Sequence, residues 1–234
     1  MEKIFIPCSY NPELKLEVYK GHFASDRFHS NYYIDLIPMK VQLAKAKLTA
    51  EAMADKYVHR VKTGARKGIG SEYAALSSDL AMSTPIDTII CMDGCEALGA
   101  YVADKLSGYG VSTNNEFGTY NIVTPDFDDS GALLVTDDFQ KMLKGKNILI
   151  LLATAMQGKT LGRILSTVSE YGGHIIGISV IFSMVDSLDG YPVNAVFSRE
   201  DIPDFELSDD KGCELCGKKV PVDGIITRYG LRKI

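Results

Sequence analysis

The sequence predicts an α/β fold built on a mainly parallel, twisted sheet with helices on both faces. Short apolar segments typical of buried strands alternate with segments of helical periodicity, and this alternation indicates βαβ units. The strand-like segments are residues 86–94, 119–123, 147–153 and 174–183. Glycine-containing turns at 93–99 and 153–160 follow two of them. We expect these turns at the carboxyl edge of the sheet, where parallel sheets bind their ligands.

Three helices are predicted in the first half of the chain. Apolar residues recur at helical spacing from Ile37 to His59, with alanine, lysine and glutamate between them. Ser71 is a suitable N-cap for a second helix over residues 72–82, and a third over 96–106 follows the first glycine turn. The segment 60–70 carries three glycines and four cations. It either supplies charge to a phosphate or forms a solvated loop.

Strands and helices continue to alternate in the second half. The strand at 147–153 enters a turn that ends in Gly158-Lys159-Thr160, and the helix over 160–171 stops at Gly172. The stretch 124–138 carries five aspartates. It is a loop that binds a cation or partner, or a solvated connection. We favour the solvated connection because loops are usually polar and exposed.

Bulk properties argue against several classes of protein. The 234 residues fit one large domain, or one domain with a small appendage, and the formal net charge of −5 does not support nucleic-acid binding. No apolar run reaches the roughly 20 residues that span a bilayer, and the N-terminus lacks the layout of a secretory signal. Five cysteines, an odd number, argue against a disulfide framework. We expect a cytoplasmic protein with neither nucleic acid nor membrane as a partner.

The turn at 153–160 satisfies a loosened P-loop pattern, with a strand before it and a helix after it. Backbone amides at the start of that helix, together with Lys159, would attract a phosphate. A wrapped P-loop needs glycine where this turn has Ala153, Met156 and Gln157. Asp186 is the only candidate to hold Mg²⁺ after a later strand. A P-loop nucleotide hydrolase is therefore one interpretation of this turn, and the less favoured one.

The same turn resembles the loop that binds 5-phosphoribosyl 1-diphosphate (PRPP) in type I phosphoribosyltransferases. Gly158, Thr160 and Leu161 stand where that family has its loop glycine, threonine and leucine. The segment KGHFASDRFHSNYYIDL (20–36) resembles the N-terminal signature of orotate phosphoribosyltransferases. The segment DTIICMDGCEALGAYVADKLS (87–107) is similar to their pyrophosphate-loop strand and helix. The resemblance covers about residues 20–200.

The resemblance implies a type I phosphoribosyltransferase fold in three parts. These are an N-terminal hood (1–36), an α/β core (37–200) and a C-terminal tail with a cysteine pair (201–234). It also implies a homodimer that joins a nitrogen base to C1 of PRPP with loss of pyrophosphate. Mg²⁺ would be the cofactor of that reaction.

Three groups of residues are predicted to contact a nucleotide or sugar phosphate, and none is assigned as catalytic. The phosphate-binding group is Thr154, Ala155, Met156, Gln157, Gly158, Lys159 and Thr160. The pyrophosphate-loop group is Asp93, Gly94, Cys95 and Glu96. The base-side candidates are His22, Phe23, His29 and Tyr33.

Two departures from the family pattern predict impaired transfer. The family's acidic pair, which holds the ribose hydroxyls of PRPP, falls at Leu152 and Ala153, whose side chains accept no hydrogen bond. Two charge-assisted hydrogen bonds of roughly 1.5–3 kcal/mol each are worth about two to four decades of affinity. The family's catalytic loop falls near 111–131, which is acidic and has no lysine or arginine to stabilise pyrophosphate. We expect a protein that binds a phosphorylated ribose or nucleotide and transfers it poorly, or a non-catalytic sensor of nucleotide or PRPP.

The C-terminal segment CELCGKK (213–219) contains one C-x-x-C pair. A tetrahedral structural zinc site needs four ligands, and Cys213 and Cys216 supply two. Cys8, the histidines or a second subunit would have to supply the others. The pair is either part of a zinc site or two reduced cysteines in the tail, and the sequence favours the second.

Overall fold

The computed structural model describes residues 1–61, 80–109, 119–128, 133–156, 159–209, 211–227 and 229–234. Within these ranges no helix is long and apolar enough to cross a membrane. Three predicted features lie partly outside the described residues. They are the basic segment beyond residue 61, most of the catalytic loop, and Gln157 and Gly158 of the phosphate-binding group.

The elements alternate between strands and helices through the middle of the chain. In chain order they are β1 (Glu2–Pro7), β2 (Lys15–Ala24), β3 (His29–Asp35), α1 (Ile37–Val41), α2 (Leu43–Ala54), β4 (Val58–Val61), β5 (Leu80–Ser83), β6 (Thr88–Cys91), α3 (Glu96–Ser107), β7 (Asn121–Val123), α4 (Asp137–Leu143), β8 (Asn147–Ala155), α5 (Lys159–Glu170), β9 (His174–Ser183), β10 (Ser187–Leu188), β11 (Tyr191–Ser198), β12 (Leu207–Ser208), α6 (Glu214–Gly217), β13 (Gly224–Thr227) and β14 (Gly230–Lys233).

Six strands form the core sheet, in the order β10-β11-β9-β8-β6-β7. Only the short β10 pairs antiparallel with its neighbour in this sheet, and the other neighbours are parallel. Successive residues of β8 alternate between two hydrophobic clusters, with Leu149 and Leu151 in one and Ile148 and Ile150 in the other. Helices α2 and α3 contribute to the first cluster, and α4 and α5 to the second. The sheet is therefore covered on both faces, which confirms the predicted fold class.

The two ends of the chain build a second sheet, the hood sheet. Its order is β12-β3-β2-β13-β14, and β1 also pairs with β2. The strands β1, β2 and β3 are antiparallel neighbours, whereas β13 joins β2 in parallel, with Gly224 opposite Phe23. Strands from the predicted hood and from the predicted tail thus share one sheet, while the division of the chain at residues 36 and 200 stays a prediction.

The first predicted helix is interrupted and shorter than the sequence indicated. Gln42 has an extended backbone (φ −86°, ψ 115°) and separates α1 from α2, which ends at Ala54. His59 lies in β4 and pairs with Met82 of β5, which the sequence placed at the end of the second helix. Strand pairing here outweighs the apolar periodicity that predicted helix, as tertiary contacts often do. Residues 72–79 of that second helix lie outside the described residues.

Candidate functional site

Two turns lie side by side at the carboxyl edge of the core sheet. β6 and β8 are parallel neighbours with Cys91 opposite Leu151, and the amide of Met92 donates to the carbonyl of Leu151 at 2.8 Å. The turn after β6 leads into α3, and the turn after β8 leads to α5, which begins at Lys159. The predicted pyrophosphate-loop and phosphate-binding segments therefore adjoin each other.

A buried lysine holds the turn after β6. The Nζ of Lys40 in α1 donates a hydrogen bond to the carbonyl oxygen of Asp93 at 2.7 Å, and Lys40 is only 9% exposed. Asp93 and Gly94 have left-handed backbones, with φ of 56° and 74°. Glycine adopts that conformation without steric cost, which explains its place in the turn. Nothing in the sequence singles out Lys40, because lysines in a helical segment usually face solvent.

The carboxyl group of Asp93 lies next to the end of β8. Its side chain reaches solvent, yet the protein packed around it raises the pKa of the carboxyl above its ordinary value. The amides of Ala153 and Thr154 and the charge of Lys40 offset part of that increase. A carboxylate in this position repels an incoming phosphate, because like charges at close range disfavour each other.

The rest of the turn after β6 is packed rather than reactive. Burial raises the pKa of the Cys91 thiol to about 12 and also raises the pKa of Cys95. Both thiols are therefore protonated near neutral pH, which makes them poor nucleophiles. The carboxylate of Glu96 accepts a hydrogen bond from the Thr124 hydroxyl at 3.0 Å. Gly99 faces Cys91 so closely that a Cβ added there would lie 2.3 Å from the sulfur.

The end of β8 has apolar side chains where the resemblance implies an acidic pair. Leu152 is 3% exposed and Ala153 is 6% exposed, and they pack into opposite core clusters. Thr154 and Met156 are half-buried. The carbonyl of Ala155 accepts the amide of Met184 at 2.9 Å. No side chain at the two positions of the acidic pair can hold a ribose hydroxyl.

Two of the base-side candidates, Phe23 and Tyr33, lie in the interior of the hood sheet. Phe23 is fully buried and Tyr33 nearly so, with their ring centroids 6.0 Å apart. The other two candidates, His22 and His29, lie in a different group of residues.

His22, His29, Cys213 and Cys216 form a group that we call the His/Cys cluster. Each of the four residues offers one ligand atom, and all four atoms lie within 4.8 Å of one another. The histidines come from β2 and β3, Cys213 immediately precedes α6, and Cys216 lies within it. The sequence left open whether Cys8, the histidines or a second subunit would supply the remaining ligands. In the described part of the chain, two histidines lie next to the cysteine pair. Cys8 lies elsewhere, with its thiol 3.9 Å from the carbonyl oxygen of Val196.

The donors of the His/Cys cluster suit a metal ion. Burial raises the pKa of Cys213, but the amides of Cys216 and Leu215 and the side chains of Ser208 and Cys216 lower it to a greater extent, which favours the thiolate. The Nδ1 of His22 lies 2.8 Å from the carbonyl oxygen of Val220. Such a bond orients the ring of a metal-binding histidine and leaves the other nitrogen as the ligand.

The fold is similar to that of solved phosphoribosyltransferases. The orotate phosphoribosyltransferase of Aeropyrum pernix matches with a TM-score of 0.50 and 16% identity, over 79% of this chain and 89% of that one. A phosphoribosyltransferase of Corynebacterium diphtheriae matches at 0.46 and 14%, over 82% and 92% of the two chains. The adenine phosphoribosyltransferase of Thermoanaerobacter pseudethanolicus gives 0.45 and 14%, over 84% and 95%.

The match to the Aeropyrum pernix protein shows the fold of the chain. No protein-family model matches the sequence, and no curated protein matches it. With its parallel core sheet and the match to the Aeropyrum pernix protein, the chain has the type I phosphoribosyltransferase fold that the sequence motifs predicted.

Proposed function

We propose that the protein binds a phosphorylated ribose, such as a nucleoside monophosphate or sugar phosphate, where the turns after β6 and β8 meet. We further propose that PRPP-dependent base transfer is impaired. The observation that carries this proposal is the burial of Leu152 and Ala153, 3% and 6% exposed, at the positions of the family's acidic pair. Without those carboxylates the ribose hydroxyls of PRPP lose their charged hydrogen-bond partners.

The phosphate would bind at the turn between β8 and α5. Backbone amides at a helix start and the helix dipole favour an anion without help from side-chain carboxylates. In this proposal the phosphate-binding group is the predicted segment from Thr154 to Thr160, and Lys159 adds a positive charge. The proposed site therefore contacts the 5′-phosphate as the family's site does, but lacks the side chains that bind the ribose hydroxyls there.

The turn after β6 argues against efficient release of pyrophosphate. A departing pyrophosphate needs cations directed at it, whereas the turn presents the carboxylates of Asp93 and Glu96. A non-catalytic sensor of nucleotide or PRPP is therefore the second candidate function, and Mg²⁺ would matter only if transfer occurs. The base side of the ligand is proposed only from the resemblance, at the part of the hood segment 20–36 that lies outside the His/Cys cluster.

We also propose a cytoplasmic homodimer with a hood, a core and a tail. The resemblance supports the dimer and the three parts, and the odd number of cysteines supports the location. Light scattering that gives a mass near twice the 25.6 kDa of one chain would support the dimer, and a mass near 25.6 kDa would contradict it.

Calorimetric titration with uridine monophosphate, PRPP, orotate and ATP, each with and without Mg²⁺, tests the proposal. We expect the monophosphate to bind with little dependence on Mg²⁺. Lys159→Ala should weaken that binding about 10- to 100-fold, the range for one charge-assisted hydrogen bond. Lys141→Ala is the matched control, because Lys141 is exposed on α4 and paired with Asp138. Its affinity should equal that of the wild type.

Two results would contradict the proposal. The first is that no phosphorylated ligand binds. The second is tight binding and hydrolysis of Mg-ATP that Lys159→Ala abolishes, which would favour the P-loop hydrolase instead.

A further inference from the structure

We propose that His22, His29, Cys213 and Cys216 bind one zinc ion per chain in a closed tetrahedral site that fastens the C-terminal segment to the hood sheet. This site is separate from the proposed phosphate site, so either proposal can fail without the other. The inference rests on the spacing of the four ligand atoms, on the hydrogen bonds around them, and on how little packing holds α6 in place.

Four of the six distances between ligand atoms of the His/Cys cluster match the edges of a zinc tetrahedron, and the other two, from the sulfur of Cys213 to the ligand atoms of Cys216 and His29, are within 4.8 Å. Bond lengths of about 2.3 Å to sulfur and about 2.0–2.1 Å to nitrogen give edges of about 3.6 Å between sulfur and nitrogen and about 3.3–3.4 Å between two nitrogens. The Nε2 of His22 lies 3.6 Å from each cysteine sulfur and 3.1 Å from Nδ1 of His29. The sulfur of Cys216 lies 3.3 Å from the same Nδ1. These four edges are within about 0.3 Å of the expected values.

The hydrogen bond of the His22 ring directs its second nitrogen at the cluster. A carbonyl oxygen can only accept, so the bond to Val220 places the proton of the neutral His22 ring on Nδ1. The Nε2 of His22 then carries one lone pair, and three neighbouring atoms converge on it. That lone pair can accept only one strong hydrogen bond, whereas one cation at the centre is bound by all four ligand atoms at once.

The backbone around His22 is arranged to present the ring to the cysteines. The pairing of β2 with β3 is irregular between Lys20 and Phe23, and such a bulge redirects a side chain. The amide of His22 donates to the carboxylate of Asp223, and the amide of Asp223 donates back to the carbonyl of His22 at 2.7 Å. These two bonds hold Asp223, which follows the cysteines in the chain, against His22, which supplies one of the nitrogen ligands.

Apart from the hydrogen bonds to His22, packing contributes little to holding the C-terminal segment near the cluster. None of the four residues of α6, all within the described part of the chain, is buried. Beyond it, β13 pairs with only two residues of β2, Phe23 and Ala24. A four-residue helix with no buried residue gains little stability from packing, and a metal supplies stability in small elements.

The donor set favours zinc over other metals. Two thiolates and two imidazoles in tetrahedral positions are typical of structural zinc sites, whereas hard cations such as Mg²⁺ prefer oxygen ligands. With four protein ligands the site has no open position for water or substrate, so we assign it a structural role.

Metal analysis of the purified full-length protein, expressed with added zinc, tests the proposal. We expect about one zinc per chain in the wild type and less than about 0.1 in Cys216→Ser, since two or three ligands bind zinc far more weakly than four. His174→Ala and Cys8→Ala are matched controls outside the cluster and should keep their zinc. A chelator should lower the melting temperature of the wild type and leave that of Cys216→Ser unchanged.

Cobalt added to chelator-stripped wild type gives a readout that does not depend on any variant. We expect the visible absorption of a tetrahedral centre together with a thiolate charge-transfer band. Absence of both zinc and cobalt binding would overturn the proposal, and so would full zinc retention in Cys216→Ser. A value near one zinc per two chains would also overturn it, because it would require a site shared between subunits.

Discussion

At the scale of single residues, the carboxyl edge of the core sheet has apolar side chains at Leu152 and Ala153 of β8 and carboxyl groups in the turn after β6. Leu152 and Ala153 carry apolar side chains into the core, while Asp93 places a carboxyl beside the end of β8. The buried Lys40 binds the backbone of Asp93 and fixes the turn that presents this carboxyl. This distribution of charge is why we propose a ligand held by backbone amides rather than a diphosphate held by side chains.

Asp93→Asn is expected to stabilise the protein at neutral pH. Burial raises the folded-state pKa of the Asp93 carboxyl, so the native state holds this proton more tightly than the unfolded chain. The free energy of unfolding therefore falls as the pH rises from the pKa of Asp93 in the unfolded chain through its pKa in the folded protein. Asparagine carries no ionisable group and avoids this fall.

Urea unfolding at pH 3 and pH 7 measures this effect. The variant should be more stable than the wild type at pH 7, and the difference should shrink at pH 3. Asp104→Asn, an exposed change on α3, is the control and should show little change at either pH. A variant less stable than the wild type at pH 7 would show that the carboxylate is needed.

The two turns at this edge could be predicted from the sequence, but the contacts that distant residues make could not. Both turns follow apolar strands and contain glycine, which are local signals. The role of Lys40 depends on a contact 53 positions away in the chain. The pairing of His22 with Cys213 spans 191 positions, so no local pattern connects the C-x-x-C pair with its histidines.

At the scale of elements, Tyr57 fastens the end of α2 to the core sheet. Its hydroxyl lies 3.0 Å from the Ser179 hydroxyl on β9 and accepts the side-chain amide of Asn194 at 3.2 Å. Gly177 leaves room for the ring, because a Cβ added there would lie 2.5 Å from the tyrosine oxygen. Burial raises the pKa of Tyr57, so its hydroxyl stays protonated and can donate. The sequence did not predict this junction, because the helix predicted from Ile37 to His59 runs through Tyr57 into β4. That strand is defined by its pairing with β5 and not by a periodic pattern.

Tyr57→Phe should lower the free energy of unfolding by about 1–3 kcal/mol, the cost of leaving the fully buried Ser179 without its partner. Thermal or urea unfolding measures the change. Tyr229→Phe is the control, because Tyr229 is 77% exposed, and it should change stability by less than about 0.5 kcal/mol. An equal effect of the two substitutions would mean that the buried hydroxyl contributes nothing.

At the scale of the whole molecule, the two ends of the chain meet in the hood sheet while the middle forms the core sheet. The sequence predicted the core sheet well, because its central strands are continuous apolar runs that alternate with helices. It did not predict that β13 would pair with β2, since short strands near a chain end carry little pattern of their own. The proposed zinc site lies at that junction, and the proposed phosphate site lies at the carboxyl edge of the core sheet.

The central claim is that the phosphoribosyltransferase fold is retained here without the charges that base transfer needs. The most direct test is the loss of PRPP in the presence of Mg²⁺, with the protein in excess over PRPP and with orotate, uracil, adenine, hypoxanthine or guanine as the acceptor. The Aeropyrum pernix orotate phosphoribosyltransferase with orotate serves as the positive control. We predict that PRPP remains intact with every base over the time in which the control consumes it. Formation of a nucleoside monophosphate and pyrophosphate with any of these bases at a rate near that of the control would contradict the account.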